Sequence, residues 1–146
     1  MTVGRRILVA TDNSAAADRA VEVAADLAKH LRAELIIVTV EQGKLSEDLE
    51  EFRLAENATM NEILDVRSSE ILARAEASAR HAGVSKIRTE TGLGDAAAFI
   101  LETAERLQTD FIVLGKRGRS RVAGLLIGSV SQKVVTLAHC KVLVVP

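Results

Sequence analysis

The hydrophobic and polar positions of this chain follow two periods that alternate along its length. Five short apolar runs predict β-strands, and four of them are rich in Val, Ile and Leu without strict alternation, as in strands buried on both faces of a parallel sheet. The five runs span residues 5–11, 34–40, 86–91, 110–115 and 141–145. In the third run Arg88 and Glu90 alternate with Ile87 and Thr89. That alternation predicts an edge strand.

Four stretches between the runs carry apolar residues three or four positions apart, which predicts helices with one buried face. Their apolar lines run from Ala20 to Leu31, through residues 55–81, from Ala97 to Leu107 and from Val130 to Ala138. Strands that alternate with helices imply a parallel sheet with right-handed crossovers and helices on both faces. The sequence therefore predicts an α/β, Rossmann-like fold in which residues 1–146 form a single domain.

One segment fits neither period. Residues 41–56 are rich in Glu and Asp around Leu49 and Phe52. Such a segment is either a solvated connection between two elements or a lid over a ligand. We expect an irregular conformation here.

Composition narrows the classes of partner. The chain of 146 residues is 48% hydrophobic but has three Phe and no Tyr or Trp, whereas base-stacking nucleic-acid modules need aromatic platforms. Its net charge of −1 draws it to neither nucleic acid nor membranes, and no apolar run approaches the ~18 residues of a membrane helix. The single Cys140 is either a small buried residue or a reactive thiol, and one cysteine fits a reducing compartment. We therefore expect a cytoplasmic protein.

The richest candidate chemistry follows the fourth strand, where the sequence reads GKRGRSRVAGLLIGSVSQKVV. Gly115 ends the strand, Gly118 follows after two residues, and Gly128 comes just before Ser129, where the last helix begins. Glycine backbone lets N–H groups converge on a phosphate, and a helix N-terminus adds unpaired donors and a positive dipole end. The alternative is a flexible, solvated loop in which Ser129 only caps the helix.

Side chains around these glycines are suited to the same ligand. Ser129 and Ser131 offer hydroxyl groups that can bond phosphate oxygens. The loop also carries four cations and no acid among them: Lys116, Arg117, Arg119 and Arg121. A P-loop is excluded, because no Gly-Lys-Ser/Thr follows at the required spacing.

The pattern Gly115-x2-Gly118-x9-Gly128-Ser129 resembles the nucleotide-binding motif in the ATP-binding branch of the universal stress protein family. The opening ILVATDNSAAADRAVEVAADLA and the closing GSVSQKVVTLAHCKVLVV are similar to the ends of that family's sequences. The resemblance covers the whole chain and is weakest across residues 41–79. It implies a five-stranded parallel sheet in the order 3-2-1-4-5, with a ligand crevice at the switch point between strands one and four.

The resemblance also implies roles for individual residues. Asp12 would contact the nucleoside, with Thr11 beside it on one side of the crevice, and the backbone of Val40 would recognise adenine. The phosphates would be held by Gly115, Gly118, Gly128 and Ser129. The implied ligand is ATP, alone or with Mg2+ or Mn2+, and the implied assembly is a homodimer formed by antiparallel pairing of the strand 141–145.

Some positions depart from the family pattern or allow a second interpretation. Asn13 stands where a glycine is common, but Asn tolerates the same left-handed turn. Asp95 and Lys141 stand where the family often has Pro, and neither belongs to the motif. Asp12 could instead cap the helix that begins after it, since a carboxylate is favourable at a helix N-terminus.

Two other signals are weak. The segment Gly92-Leu93-Gly94-Asp95-Ala96-Ala97 fits a loose dinucleotide fingerprint, but Asp110, the nearest later acid, begins the next strand and so lies at the wrong edge of the sheet. A tight turn with Asp95 as a helix cap explains this segment better. The three histidines each fall near a helix C-terminus, away from the crevice, which argues against a catalytic or metal-binding trio. They are His30, His81 and His139.

Three classes of function remain. The first is a regulatory module whose bound adenine nucleotide shifts a conformation or a partner contact. The second is a slow ATP hydrolase or phosphoryl-transfer enzyme, for which the motif regions offer only Asp12 as a base or metal ligand. The third is a nucleotide-free dimeric scaffold. The intact glycine motif favours the first.

Overall fold

A computed structural model describes residues 4–42, 47–116 and 127–146. The described residues form five strands and five helices. The strands are β1 (Arg6–Ala10), β2 (Glu34–Glu41), β3 (Ile87–Leu93), β4 (Phe111–Gly115) and β5 (Lys141–Val145). The helices are α1 (Ala15–Leu31), α2 (Glu47–Ala55), α3 (Met60–His81), α4 (Ala96–Arg106) and α5 (Ser129–Leu137).

The strands form one parallel sheet in the order β3-β2-β1-β4-β5, which confirms the predicted fold class and strand order. Leu8 at the centre of β1 pairs with Ile36 of β2 on one side and with Ile112 of β4 on the other. β3 lies at one edge of the sheet, as its alternation of charged and apolar residues predicted.

The central strands are buried on both faces because helices cover both sides of the sheet. Ile7 and Val9 pack with α1 and α3, whereas Leu8 between them packs with α4 and α5, and all three side chains are fully buried. Each such side chain contributes about 1.5–3 kcal/mol when it leaves water. The helix α1 presents mainly alanines to the sheet, including Ala20 and Ala24, which lets its backbone approach the strands closely.

The segment 41–56 corrects one expectation, since it contains the helix α2, whereas the second predicted helix, expected over residues 55–81, is α3 and begins at Met60. Glu47, Asp48 and Glu50 lie in the first turn of α2, where the helix dipole favours acidic groups. Arg53 pairs with Glu50 one turn earlier, as oppositely charged residues three positions apart can. None of the α2 residues is buried. Local charge placement explains this helix, and no hydrophobic period marked it.

The break between α2 and α3 has a local cause as well. Asn57 has a left-handed backbone with a φ of 54°, which stops α2. Thr59 then begins α3, because its hydroxyl oxygen accepts the Glu62 N–H at 3.1 Å. The chain therefore restarts a helix within a few residues.

Strand β3 continues through Gly92 and Leu93, which were expected to form a turn. Gly92 pairs with Val40 and Leu93 with Glu41, so β3 follows β2 to its end. A Cβ on Gly92 would lie 2.4 Å from the Phe99 ring, so only glycine fits beneath this side chain. The turn lies at Gly94, whose φ is +107°.

Two expectations about helix caps have different outcomes. Asp95 caps α4 as predicted, since its Oδ2 accepts the Ala98 N–H at 2.9 Å. The hydrogen bond from Ala98, followed by the charge of Lys133, holds the pKa of Asp95 below its ordinary value of 3.8. The cap of α1 is Ser14 rather than Asp12, because the Ser14 hydroxyl accepts the Ala17 N–H at 3.2 Å.

Candidate functional site

The strand order places a crevice at the carboxyl ends of β1 and β4. The chain leaves β1 for α1 on one face of the sheet, whereas the helix α5 that follows β4 lies on the other face. Neighbouring strands whose connections diverge in this way leave a gap between the two loops, and this is where open parallel sheets bind ligands. The loop that follows Ala10 and the end of β4 at Gly115 border the gap.

The peptide of Val40 faces this gap. The Val38 carbonyl accepts the Thr11 N–H at 2.9 Å, so Val38 points its backbone groups toward β1. The Glu41 carbonyl accepts the Gly94 N–H at 2.8 Å, on the opposite side of the strand. Because backbone groups alternate in direction along a strand, Val40 points the same way as Val38. The pairing of β1 ends at Ala10 opposite Val38, so Val40 lies beyond it.

The loop after β1 is shaped by bonds within itself. Thr11 is buried, and its hydroxyl oxygen accepts the Asn13 N–H at 3.2 Å, so it holds the loop. Asp12 is half-buried, and its Oδ1 accepts the Ser14 N–H at 2.9 Å. Asn13 has a φ of 67°, which confirms the expected left-handed turn. This turn carries Asp12 at the border of the gap.

An arginine from α3 holds the same loop from outside. Arg74 donates one hydrogen bond to the Asn13 side-chain oxygen at 2.6 Å and another to Asp18 in the first turn of α1 at 2.9 Å. Asparagine at position 13 therefore does two things, since it adopts the left-handed backbone and accepts a bond that glycine could not. Arg74 could not be identified from the sequence, because nothing in a helical period indicates which exposed cation reaches a distant loop.

Gly115 lies where β4 meets the beginning of α1. A Cβ on Gly115 would be 2.9 Å from the Ala16 carbonyl carbon and 3.0 Å from the Ala16 Cβ. Gly115 is thus required for close packing of two backbones. The expected contact of Gly115 with a phosphate stays a prediction.

The N-terminus of α5 is joined directly to the end of β4. The Gly128 N–H donates to the Lys116 carbonyl at 2.7 Å, and the buried Ser131 hydroxyl donates to the Gly115 carbonyl at 2.7 Å. Both donors fix the helix to the strand, and the phosphate contacts expected of Gly128 and Ser131 stay predictions. Gly128 is the N-cap with an extended backbone, and among the described residues no side-chain cap bond is made to the first turn, which begins at Ser129. The helix therefore presents its opening N–H groups beside the crevice.

Three predicted site residues, Arg117, Gly118 and Arg119, lie outside the described residues. Their expected contacts with phosphate stay predictions. Arg121 lies outside as well, whereas Lys116 is half-buried and its N–H donates to the Val145 carbonyl at 2.6 Å.

A buried ion pair next to Val40 escaped the sequence analysis. Glu41, the last residue of β2, has a side chain that is 8% exposed and pairs with Arg67 of α3. The Arg67 Nε donates to Glu41 Oε1 at 3.0 Å, and the Ser68 hydroxyl approaches the same oxygen at 3.3 Å. The hydrogen bonds that Arg67 donates to Glu41 raise the pKa of the Arg67 guanidinium, which keeps it charged. The sequence feature that could have indicated this ion pair is the acid at the end of an apolar strand.

Other candidate groups contribute nothing to this crevice. His30 and His81 lie in the last turns of α1 and α3. In the three described stretches, no group of three or more His, Cys, Asp or Glu could hold a metal ion. Cys140 is partly buried against the α4–α5 core, and burial raises the pKa of its thiol, which favours the small packed residue over the reactive thiol. Among the same residues, every helix is too short or too polar to cross a membrane.

Comparisons with known proteins agree with this architecture. The sequence model of the universal stress protein family matches residues 4–146. Universal stress protein MJ0531 of Methanocaldococcus jannaschii is 34% identical over 143 residues, which cover 97% of this chain and 81% of that protein. A crystal structure of a universal stress protein in complex with cAMP is 27% identical, with a TM-score of 0.76, and the match covers 99% of this chain and 98% of that one. UspA from Lactobacillus plantarum matches in fold, with a TM-score of 0.80, 24% identity and full coverage of both chains.

Proposed function

Since this chain belongs to the universal stress protein family, we propose that it binds an adenine nucleotide, ATP in particular, in the crevice between β1 and β4. The observation that carries the proposal is the first turn of α5, which follows a glycine N-cap without a side chain and is fixed to the end of β4 by two hydrogen bonds of 2.7 Å. Helix N-termini of this kind stabilise phosphate groups.

The described residues fit the two ends of such a nucleotide. At one end, the Val40 peptide offers an N–H donor and a C=O acceptor, which match the acceptor and donor on the edge of adenine. At the other end, the first turn of α5 offers N–H groups and the Ser129 hydroxyl to the phosphates. Asp12 lies on the border between them, beside the position expected for the ribose. The similar protein that was solved with cAMP supports an adenine nucleotide as the class of ligand.

The role that these residues support is regulatory binding. ATP hydrolysis needs a positioned base and metal ligands near the γ-phosphate. Asp12 already accepts a hydrogen bond from Ser14 in the folded protein, and its expected partner is the nucleoside. Bound ATP, with or without Mg2+ or Mn2+, would act by favouring one conformation of the residues around its phosphates.

The decisive experiment identifies the nucleotide that the protein retains. Freshly purified protein is denatured, and the released ligand is identified by chromatography, followed by calorimetric titration of the emptied protein with ATP. Intact ATP in the supernatant supports binding without rapid turnover. ADP alone would favour hydrolysis, and a clean supernatant together with no ATP affinity would favour a nucleotide-free scaffold.

A substitution tests the glycine motif itself. We expect Gly118→Val to abolish ATP affinity, because an added side chain holds the phosphates away from the backbone. The helix content measured by circular dichroism should stay unchanged. Unaltered ATP affinity in this variant would place the phosphates elsewhere.

We also propose that the protein forms a homodimer through β5. This strand pairs with β4 along one edge, and its residues Lys141 and Leu143 are exposed. An exposed strand edge is a template for pairing with a second chain.

A further inference from the structure

Strand β2 extends beyond its neighbour at the point where the adenine site is proposed. The pairing with β1 ends at Val38, so the last three residues of β2, Thr39–Glu41, have a strand neighbour only in β3. The Val40 peptide lies in this overhang and points away from β3. A hydrogen-bonding group on an overhanging strand end needs support from elsewhere if its direction is to be fixed.

The support comes from Glu41, which is held at both its backbone and its side chain. Its carbonyl accepts the Gly94 N–H at 2.8 Å. Its carboxylate receives two bonds from the Arg67 guanidinium and one contact from the Ser68 hydroxyl, and Ser68 is 2% exposed. We name Glu41, Arg67 and Ser68 the strand-end cluster. It joins the last residue of β2 to the middle of α3.

A bidentate pair between arginine and a carboxylate fixes the relative orientation of the two groups as well as their distance, because the planar guanidinium matches the planar carboxylate. A buried ion pair adds little stability over apolar side chains of the same size, since both charges lose their hydration. What the cluster supplies at this position is orientation. Glu41 shares a peptide bond with Val40, so a fixed Glu41 also fixes the Val40 carbonyl.

We propose that the strand-end cluster positions the Val40 peptide and thereby sets the preference for adenine over guanine. Adenine presents an acceptor at N1 and a donor at its amino group, which a fixed peptide N–H and C=O can satisfy together. Guanine presents the reverse arrangement and would leave both peptide groups unpaired, which a rigid site penalises. This inference rests on the proposed function, because it assumes that a nucleotide occupies the crevice.

The test measures base selectivity in the intact protein. Wild type and Arg67→Met are titrated by calorimetry with ATP, GTP and inorganic tripolyphosphate, after bound nucleotide has been removed. We expect the variant to lose about tenfold in ATP affinity, which corresponds to one weakened hydrogen bond to the base. Affinities for GTP and tripolyphosphate should stay nearly constant, so the ratio of ATP to GTP affinity falls by about the same factor.

Two further variants make the result specific. Arg80→Met is the matched control, because Arg80 lies on the same helix and pairs with Glu76 at 3.1 Å but its side chain is 55% exposed. It should leave the ratio unchanged. If Arg67→Met does not fold, the double variant Glu41→Gln with Arg67→Gln replaces it, since it buries no unpaired charge.

The outcomes separate this inference from the proposed function. A wild-type protein without ATP affinity would overturn both. A wild type that binds ATP and GTP equally, or a folded cluster variant that keeps the wild-type ratio, would overturn only the positioning role. A reduced ratio in the cluster variant but not in Arg80→Met would support that role, because a purely structural defect weakens all three ligands together.

Discussion

Gly115 contacts the first turn of α1 so closely that any side chain at this position must displace the backbone. We expect Gly115→Ala to destabilise the protein by about 1–3 kcal/mol, because the new Cβ would lie 2.9 Å from the Ala16 carbonyl carbon. The free energy of unfolding from urea titration checks this value. The control is Gly4→Ala, where an added Cβ meets no atom within 4 Å and the change should stay within about 0.5 kcal/mol. Equal stabilities of the two variants would refute the packing role.

The sequence predicted which types of residue form the site better than it predicted the role of each residue. Spacing identified Gly115 and Ser131, but both serve contacts between β4, α1 and α5 that cannot be seen before the strands are arranged. Glu41 was missed because a single acid at the end of an apolar strand looks like a boundary, and its partner Arg67 lies 26 residues later on another element. Long-range polar pairs leave no period in a sequence.

At the scale of elements, the α4 cap gives a prediction that depends on pH. The folded state depresses the pKa of Asp95, chiefly through the Ala98 N–H, so its stabilising effect is fully present above the ordinary pKa of 3.8. It is lost as the pH falls through the lower pKa of the folded protein. We expect Asp95→Asn to keep a hydrogen-bond acceptor but to remove this pH dependence. Melting temperatures of both proteins over an acidic pH series measure the difference.

The pH profiles of the two melting temperatures show whether the Asp95 charge stabilises the start of α4. The gap in melting temperature between wild type and Asp95→Asn should be largest near neutral pH and should close as the solution becomes more acidic. Parallel profiles would mean that the Asp95 charge does not stabilise the start of α4.

Elements with a hydrophobic period were predicted, and those without one were not. The strand β5 has the predicted bounds, and the other strands differ by one or two residues at one end or at both. The residues of α2 were expected to be irregular because they show no apolar period. In the structure this helix buries none of its residues and is held by its own charges and by α3. Charged side chains that stabilise a helix locally leave no mark in an apolar pattern.

At the scale of the whole molecule, strand order determines which distant segments meet. The order β3-β2-β1-β4-β5 brings the loop after β1, the overhang of β2 and the start of α5 to one edge of the sheet. Alternating strands and helices predicted the parallel sheet, whereas the order itself came from resemblance to a family. Handedness rules alone leave more than one order open, so the crevice could not be located from periodicity.

The outer edge of β5 determines how two molecules could associate. The Val145 carbonyl accepts the Lys116 N–H on the β4 side, so Val144, one residue earlier, points its N–H and C=O to the outer edge. Antiparallel pairing of two such edges would use these groups in both chains, because a two-fold interface repeats every contact. The exposed side chains of Leu143, Val135 and Leu137 add apolar surface on β5 and α5.

We therefore expect Val144→Pro to dissociate the dimer, because proline lacks the outward N–H but leaves alone the N–H groups that point to β4. Loss of two symmetric hydrogen bonds should raise the dissociation constant roughly thirtyfold. Val144→Ala is the matched control, since it shortens the same side chain, keeps the N–H and should remain dimeric. Sedimentation at micromolar concentration measures the assembly of all three proteins. A monomeric wild type, or a Val144→Pro variant with the same dissociation constant as Val144→Ala, would exclude β5 as the interface, because an edge that pairs with a second chain requires its outward donors.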